Sequence, residues 1–245
     1  MLTAAAVCPH PPLLIPAAIG AAASDPPPAL RAVRDACDVA VGALAAAAPD
    51  LIAVIGGGAA DREYDATAAG SLSEFGVTFT VGEGEPVLPL SLTIGRWLLG
   101  RAGIGAGTDE PGQRPQLLLQ AVDQRASADD CLKLGAAIAE RAPRVALLAM
   151  GDASARRARD IEGAPDPRAQ EYDDEVAEAL AAADARWLGR LDPALDGELM
   201  VAGRAAWQVL AGAAAGARMC GRLRCMASPY GVTYLVASWE EPRAD

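Results

Sequence analysis

The chain has 245 residues, of which 52% are hydrophobic and 22% charged, so wholesale disorder is excluded. Its formal net charge is −11, with 32 acidic against 21 basic residues and no basic stripe, so we expect neither nucleic-acid binding nor attachment to an anionic membrane. His10 is the single histidine, which excludes every site that needs two imidazoles from one chain.

The length suits one α/β domain over residues 1–245, large enough to bury a core without disulfides or a metal. The cysteines are odd in number and form no C-x-x-C pair, which indicates reduced and mostly buried thiols. They are Cys8, Cys37, Cys131, Cys220 and Cys225. The apolar N-terminal run lacks the basic start of a signal peptide, and no other stretch approaches the roughly 18 apolar residues of a membrane span. We therefore expect a cytoplasmic protein without a membrane segment.

Buried strands and amphipathic helices alternate in the first hundred residues. The apolar run Leu2–Cys8 ends at a proline-rich segment, which predicts a short buried strand. The run Leu51–Ile55 precedes three glycines and is typical of a parallel strand. The other predicted elements are a helix over Ala29–Ala48, a loop over Arg62–Glu74, a strand over Gly76–Val81, a loop over Gly82–Pro89 and a helix over Leu90–Leu99.

The second half of the chain continues the alternation and closes with two strands. A loop is predicted over Gly103–Pro115, helices over Ser127–Ala142, Arg168–Ala183 and Ala194–Ala215, and strands over Arg144–Met150, Cys220–Ala227 and Val232–Trp239. The segment Leu117–Val122 fits a strand or a helix. The turn Ser228–Gly231 predicts that the last two strands form an antiparallel hairpin. The whole pattern predicts an α/β sandwich around a mixed β-sheet flanked by helices.

Polar residues that follow the predicted strands form the candidate site. His10 follows the first strand, Asp61 comes shortly after the second, and Asp152 and Ser154 follow the Arg144–Met150 strand. Ligands of open α/β sheets bind beyond the carboxyl ends of the strands. We therefore expect one cleft that is lined by His10, Gly57, Asp61, Asp152, Ser154 and Tyr230.

Two common kinds of catalytic or nucleotide site are disfavoured in this cleft. The glycines at 56–58 lack the lysine and Ser/Thr of a phosphate-binding loop. A triad of Ser154, His10 and Asp152 is possible by residue count, but the G-x-S-x-G pattern is absent. A structural role is therefore favoured for Ser154.

The segment Cys8–Pro16 has the distinctive sequence CPHPPLLIP. It resembles the first-histidine segment of the class III extradiol dioxygenases, the LigB superfamily, which includes the Memo-like proteins. Further segments are similar to those of the family and follow in the same order: Leu51–Ala60, Leu148–Arg157, Asp166–Leu180, Val201–Ala211 and Ser228–Trp239. The resemblance implies a sandwich-like α/β fold. In ring-cleaving members two histidines and one carboxylate hold non-haem Fe(II), and a further histidine acts as acid and base.

When the family's site residues are carried over to this sequence by the resemblance, only His10 is retained. The second ligand histidine falls at Ala59 or Ala60, the acid/base histidine at Ala155 and the third position of the Memo-like branch at Ala202. An alanine has no donor atom, and one histidine cannot form a two-histidine iron site. The resemblance therefore argues for the family's fold and against its chemistry.

We therefore expect a LigB-like protein without ring-cleavage activity, catalytic residues or a cofactor, which binds a small molecule or a protein. The alternative is an Fe(II)-dependent extradiol dioxygenase, or another metal enzyme, that uses His10 with Asp61 or Glu63. A third interpretation is a scaffold for a partner enzyme. Members of the family are commonly oligomeric and the alanine-rich helices allow close contact, so we also expect a homo-oligomer.

Overall fold

The computed structural model describes residues 1–104, 115–157 and 165–242. The strands are β1 Leu2–Cys8, β2 Leu51–Gly58, β3 Arg62–Tyr64, β4 Ala68–Ser71, β5 Thr80–Val81, β6 Glu83–Pro86, β7 Gln116–Asp123, β8 Val145–Met150, β9 Cys220–Ala227 and β10 Tyr234–Glu240. The helices are α1 Pro28–Ala46, α2 Leu90–Arg101, α3 Ala128–Ala139, α4 Arg168–Ala182, α5 Ala185–Leu188, α6 Pro193–Glu198 and α7 Arg204–Ala213.

Within the described residues, seven strands form one mixed sheet in the order β3-β7-β2-β8-β1-β10-β9. The strands β7, β2, β8 and β1 are parallel, while β3 and β10 pair antiparallel with the two outer members of this group. The register places Met150 opposite both Cys8 and Gly56. The four parallel strands therefore end along one side of the sheet, which we call the carboxyl edge. A smaller sheet has the order β5-β4-β6.

Helices cover both faces of the large sheet. One face is covered by α1 and α2, and α1 turns an apolar stripe toward the strands, made of Leu30, Val33, Cys37, Val41 and Leu44. The opposite face is covered by α4 and α7, with Val176 and Trp207 in its core and α3 packed against α7. Because β1 and β8 are buried along their whole length, their sequences are apolar except for Thr3 of β1.

Glycines allow α3 and α7 to approach each other closely. A side-chain carbon on Gly135 would lie 2.0 Å from the carbonyl oxygen of Val209, and one on Gly212 would lie 2.1 Å from that of Leu132. Both oxygens belong to helix backbone, so a larger residue at either position would force the helices apart. The close packing of α3 against α7 thus requires glycine at both positions.

The structure confirms the predicted mixed α/β fold and the antiparallel strand pair at the end of the chain. The ambiguous segment is strand β7, because it pairs in parallel with β2 along eight residues. Ser127 caps α3 as its sequence predicts, since its hydroxyl oxygen accepts the N–H of Asp130 at 3.1 Å. In the described part of the chain, no helix is long and apolar enough to cross a bilayer.

Several predicted boundaries are wrong. The predicted helix Ala194–Ala215 is two helices, α6 and α7, because the chain turns at Met200 with a left-handed φ of 56°. The predicted loop Arg62–Glu74 contains β3 and β4, and the loop Gly82–Pro89 contains β6. In Gly76–Val81 only the last two residues form a strand. The predicted loop Gly103–Pro115 falls largely outside the described residues.

Candidate functional site

His10 and Asp152 are in direct contact at the carboxyl edge, because they follow the neighbouring strands β1 and β8. The backbone N–H of His10 donates a 2.8 Å hydrogen bond to Asp152 Oδ1. The ring Nδ1 of His10 lies 3.8 Å from the same oxygen and has no hydrogen-bond partner among the described residues. Asp152 therefore anchors the backbone of the proline-rich loop but does not bond to Nδ1 of the buried imidazole.

Buried Arg34 of α1 fixes the chain that follows His10. Its Nε donates to the carbonyl oxygen of Leu14 at 2.7 Å, and its Nη2 donates to that of Leu13 at 2.8 Å. Burial lowers the pKa of Arg34, and the positive charge of Arg101 lowers it further. The guanidinium is therefore engaged with backbone and holds the loop in place.

The loop that follows β8 is tied to α4 by the buried carboxylate of Asp173. Asp173 Oδ1 accepts the N–H of Ser154 at 2.9 Å, and Oδ2 accepts the hydroxyl of Ser154 at 2.8 Å and that of Thr233 at 2.5 Å. Burial raises the pKa of Asp173, and the hydrogen bonds from Thr233 and Ser154 offset part of this rise. One carboxylate thus joins the loop after β8, helix α4 and the start of β10.

A pocket of about 480 Å³ lies between the end of β7 and the α6–α7 segment, within the size range of small-molecule sites. The N–H of Ala202, on the wall of this pocket, donates to the carbonyl oxygen of Asp152 at 3.1 Å. The pocket therefore adjoins the contact between His10 and Asp152. Its apolar wall includes Pro193, Met200 and Val201, and its charged lining residues are Arg125, Asp196 and Arg204.

Asp196 and Arg204 form a buried ion pair in the wall of this pocket. Arg204 Nε lies 3.3 Å from Asp196 Oδ2, and both side chains are 4% exposed. The terminal nitrogens of Arg204 donate to the backbone carbonyls of Ala126, at 2.8 Å, and of Gln124. The hydroxyl of Tyr172 is a second donor beside this carboxylate, and its hydrogen bond lowers the pKa of Asp196. Within the described residues neither the Tyr172 hydroxyl nor Arg204 Nε makes a well-aligned hydrogen bond to Asp196, so the protein fills its acceptor positions incompletely.

The surroundings of Asp196 favour its protonated form more than water does. Burial raises its pKa to about 6, the nearby Tyr172 and Arg204 lower it, and the charge of Asp192 raises it. Burial also raises the pKa of Tyr172 far above its ordinary value, and the negative charge of Asp196 adds to this rise. Asp196 is therefore an anion at neutral pH but titrates close to it.

No family model matches this sequence, and no curated protein matches it. Among solved structures, the chain is similar to the uncharacterized protein JW3007 from Escherichia coli K12, with a TM-score of 0.55 and 14% sequence identity. The similarity covers 97% of this chain and 99% of the other. At so low an identity it shows a common fold and nothing about function.

Three other residues of the predicted cleft differ in their surroundings and exposure. Gly57 is buried in β2, and a side chain there would meet the amide of Gln124 at 2.9 Å. Ser154 is fully buried against Asp173, so it supports its loop from inside instead of lining an open cleft. Tyr230 is 39% exposed on the turn between β9 and β10. A single cleft that joins all six predicted residues stays a prediction.

The carboxylates considered as alternative metal ligands are engaged away from His10. Asp61 Oδ1 accepts the N–H of Asp123 at 2.7 Å, at the end of β7. Glu63 pairs with Arg141 at 2.8 Å, on β3. Strand β3 is four places from β1 in the sheet, or about 19 Å at ~4.8 Å per strand. The structure therefore does not bring Glu63 to His10, and it turns Asp61 toward β7.

The iron of ring-cleaving family members does not fit the donors at the carboxyl edge. The positions that the resemblance assigns to the missing ligands and base carry methyl groups: Ala59 or Ala60, Ala155 and Ala202. Asp152 Oδ1, the carboxylate oxygen nearest to His10 Nδ1, accepts a backbone N–H. Within the ranges that the structure describes, no three His, Cys, Asp or Glu side chains are grouped so that they could hold a metal ion.

Sequence reasoning missed Asp173 and Asp196. The signal for Asp173 is its place on the buried face of α4, where it lies between Tyr172 and Val176. Asp196 sits in a six-residue helix that was read as part of a longer one, so its burial had no visible pattern. Its pairing with Arg204 spans a turn that only the fold reveals.

Proposed function

We propose that this chain is a LigB-like relative of the class III extradiol dioxygenases that does not cleave aromatic rings and that binds a small molecule at the carboxyl edge of its sheet. The observation that carries the proposal is the pocket beside Asp152, because its wall contains the buried carboxylate of Asp196, whose acceptor positions lack a well-aligned donor among the described residues. Buried polar groups in folded proteins nearly always have a partner. The carboxyl edge is also the usual ligand position in open α/β sheets.

The side chains available as metal ligands favour a ligand-binding role over metal-dependent ring cleavage. Ring cleavage by the family's route needs two imidazoles at the metal and a third as acid and base, and this chain has His10 alone. Two larger depressions among the described residues, of about 600 and 740 Å³, lie at alanine-rich helix ends, and their charged lining residues are exposed. The pocket at α6 is therefore the better candidate for a specific ligand.

A pocket-filling substitution tests the binding role. Gly197 lines the pocket, and a side-chain carbon there would meet no atom within 4 Å, so Gly197→Leu should fill the space without disturbing the fold. We expect ligand-observed NMR with a mixture of small polar fragments to detect binders of the unmodified protein that Gly197→Leu no longer binds. Gly42→Leu is the matched control, because the space around Gly42 of α1 is also open.

Metal analysis tests the absence of ring-cleavage chemistry. Protein produced in iron-supplemented medium should contain far less than one iron per chain, and it should not cleave catechols after reconstitution with Fe(II). One tightly held iron per chain, together with catechol cleavage that His10→Ala abolishes, would contradict the proposal. Fragment binding that Gly197→Leu leaves unchanged would also contradict it.

A further inference from the structure

The charged residues that line the α6 pocket leave one positive charge without a partner. Asp196 and Arg204 neutralise each other as a buried pair. Arg125 is exposed on the same lining, and no carboxylate in the described part of the chain lies within ion-pair distance of its guanidinium. Its backbone N–H donates to Asp123 Oδ1, and this hydrogen bond fixes the backbone of Arg125 just beyond the end of β7. The lining therefore favours a ligand with one negative charge.

The second requirement on the ligand comes from Asp196. Both of its oxygens are closed off from solvent and lack a well-aligned hydrogen bond within the described residues. An unmatched buried acceptor is unfavourable, so a rotation of the carboxylate toward a hydrogen-bond donor in the pocket is favourable. The two protein donors beside it, Arg204 Nε at 3.3 Å from Oδ2 and the hydroxyl of Tyr172, are not well aligned with its oxygens, so they leave acceptor positions for a further donor. The ligand must therefore bring a donor as well as a negative charge.

The remaining lining limits the ligand's carbon skeleton. Pro193, Met200 and Val201 offer aliphatic surface, and none of the described residues that line the pocket is aromatic. We propose that the pocket binds a small aliphatic hydroxy acid, whose carboxylate pairs with Arg125 and whose hydroxyl donates to Asp196. This inference rests on the proposed function and gives it a ligand class. With a single negative charge on the ligand, the charges of the pocket sum to zero.

Acids that differ only in their hydroxyl groups test the inference. The probes are 3-hydroxybutyrate against butyrate, and gluconate against hexanoate, each a monoanion at neutral pH, titrated calorimetrically at that pH. We expect each hydroxy acid to bind about 10- to 100-fold more tightly than its partner, the worth of a hydrogen bond to a charged acceptor. Equal affinities within both pairs would overturn the inference.

Three variants separate the two contacts. Asp196→Asn should reduce the preference for 3-hydroxybutyrate over butyrate toward one, because the acceptor loses its charge. Arg125→Ala should weaken the binding of 3-hydroxybutyrate and of butyrate by the same factor and leave the ratio of their affinities unchanged. Arg125 is exposed, so this variant should fold even if Asp196→Asn does not. Arg186→Ala, an exposed arginine outside this pocket, should change neither affinity.

The outcomes distinguish the ligand class from the binding role. If no hydroxy acid binds, but polar fragments bind and are lost in Gly197→Leu, the ligand class is wrong and the proposed function stands. If no fragment binds in a manner sensitive to Gly197→Leu, both are wrong. An Arg125→Ala variant that binds both acids as tightly as the unmodified protein would overturn the placement of the carboxylate.

Discussion

The hydroxyl of Ser154 donates a 2.8 Å hydrogen bond to Asp173 Oδ2, and the N–H of the same residue donates to Oδ1 at 2.9 Å. Both groups are fully buried. Ser154 lies two residues after Asp152, so this pair of hydrogen bonds to α4 also fixes the position of Asp152, which anchors His10. A carboxylate distant in sequence thus determines the shape of the carboxyl edge.

Removal of the Asp173 carboxylate should destabilise the protein strongly. Asp173→Ala leaves the buried N–H and hydroxyl of Ser154 without their acceptor, and each unsatisfied group costs about 1–3 kcal/mol. The hydroxyl of Thr233 keeps its 2.7 Å hydrogen bond with that of Ser228, so we expect a loss of at least about 2 kcal/mol in the free energy of unfolding, measured by urea denaturation. Asp174→Ala, the exposed neighbour on the same helix, should change it by less than ~0.5 kcal/mol. Equal losses in the two variants would show that the buried network is unimportant.

Asp196 should make the protein less stable as the pH rises. Its pKa is about 6 in the folded protein, against about 3.9 for an unperturbed aspartate. Below about pH 4 both states are protonated, and between pH 4 and 6 only the folded state keeps the proton, so the free energy of unfolding falls across this window. The loss is complete above the folded pKa and amounts to roughly 3 kcal/mol.

The variant Asp196→Asn isolates this contribution. The variant lacks only the titrating carboxyl group of Asp196 and keeps all other titratable groups, including Asp173. The pH dependence that those groups cause is therefore the same in the variant and in the unmodified protein, and it cancels when the two are compared. We expect its free energy of unfolding to fall less than that of the unmodified protein between pH 4 and pH 7. Parallel curves from urea denaturation at several pH values would show that burial does not shift the pKa of Asp196.

Replacement of glycine by alanine should have opposite effects on stability at two helical positions, one inside the α3–α7 contact and one outside it. Gly212→Ala places a methyl group 2.1 Å from the carbonyl oxygen of Leu132, so we expect a loss of about 1–3 kcal/mol or more in the free energy of unfolding. Gly42→Ala in α1 meets no atom within 4 Å and should raise it by about 0.5–1 kcal/mol through helix propensity. Thermal unfolding of both variants measures the contrast. A stabilising Gly212→Ala would contradict the packing described here.

The buried strands were predictable because their burial on both faces leaves a nearly continuous apolar run, as in β1 and β8. The short strands β3 to β6 were not, since two to four partly exposed residues carry no periodic pattern. The break between α6 and α7 was missed because alanine favours helix locally. Asp192-Pro193, a cap followed by proline, marks the true start of α6 and was a usable signal.

The sequence predicted only those parts of the site whose position depends on the ends of the apolar strands. His10 and Asp152 both follow apolar strands, and these strands prove to be neighbours. The direction of each side chain was not predictable, because Asp61 bonds to a backbone N–H and Ser154 to a buried carboxylate. Charged residues on helices are usually solvated, so the burial of Asp196 could not be inferred from its residue type.

A melting-temperature titration with Fe(II), Mn(II) and Zn(II) tests most directly the proposal that the chain lacks the iron site of the extradiol dioxygenases. A specific site at a hundredfold excess over its dissociation constant stabilises the folded state by about 2.7 kcal/mol. In a chain of this size that corresponds to a rise of about 5–10 °C in melting temperature. We predict no rise beyond noise with any of the three ions, and the same result for His10→Ala. A rise of this size with Fe(II) that disappears in His10→Ala would contradict the account.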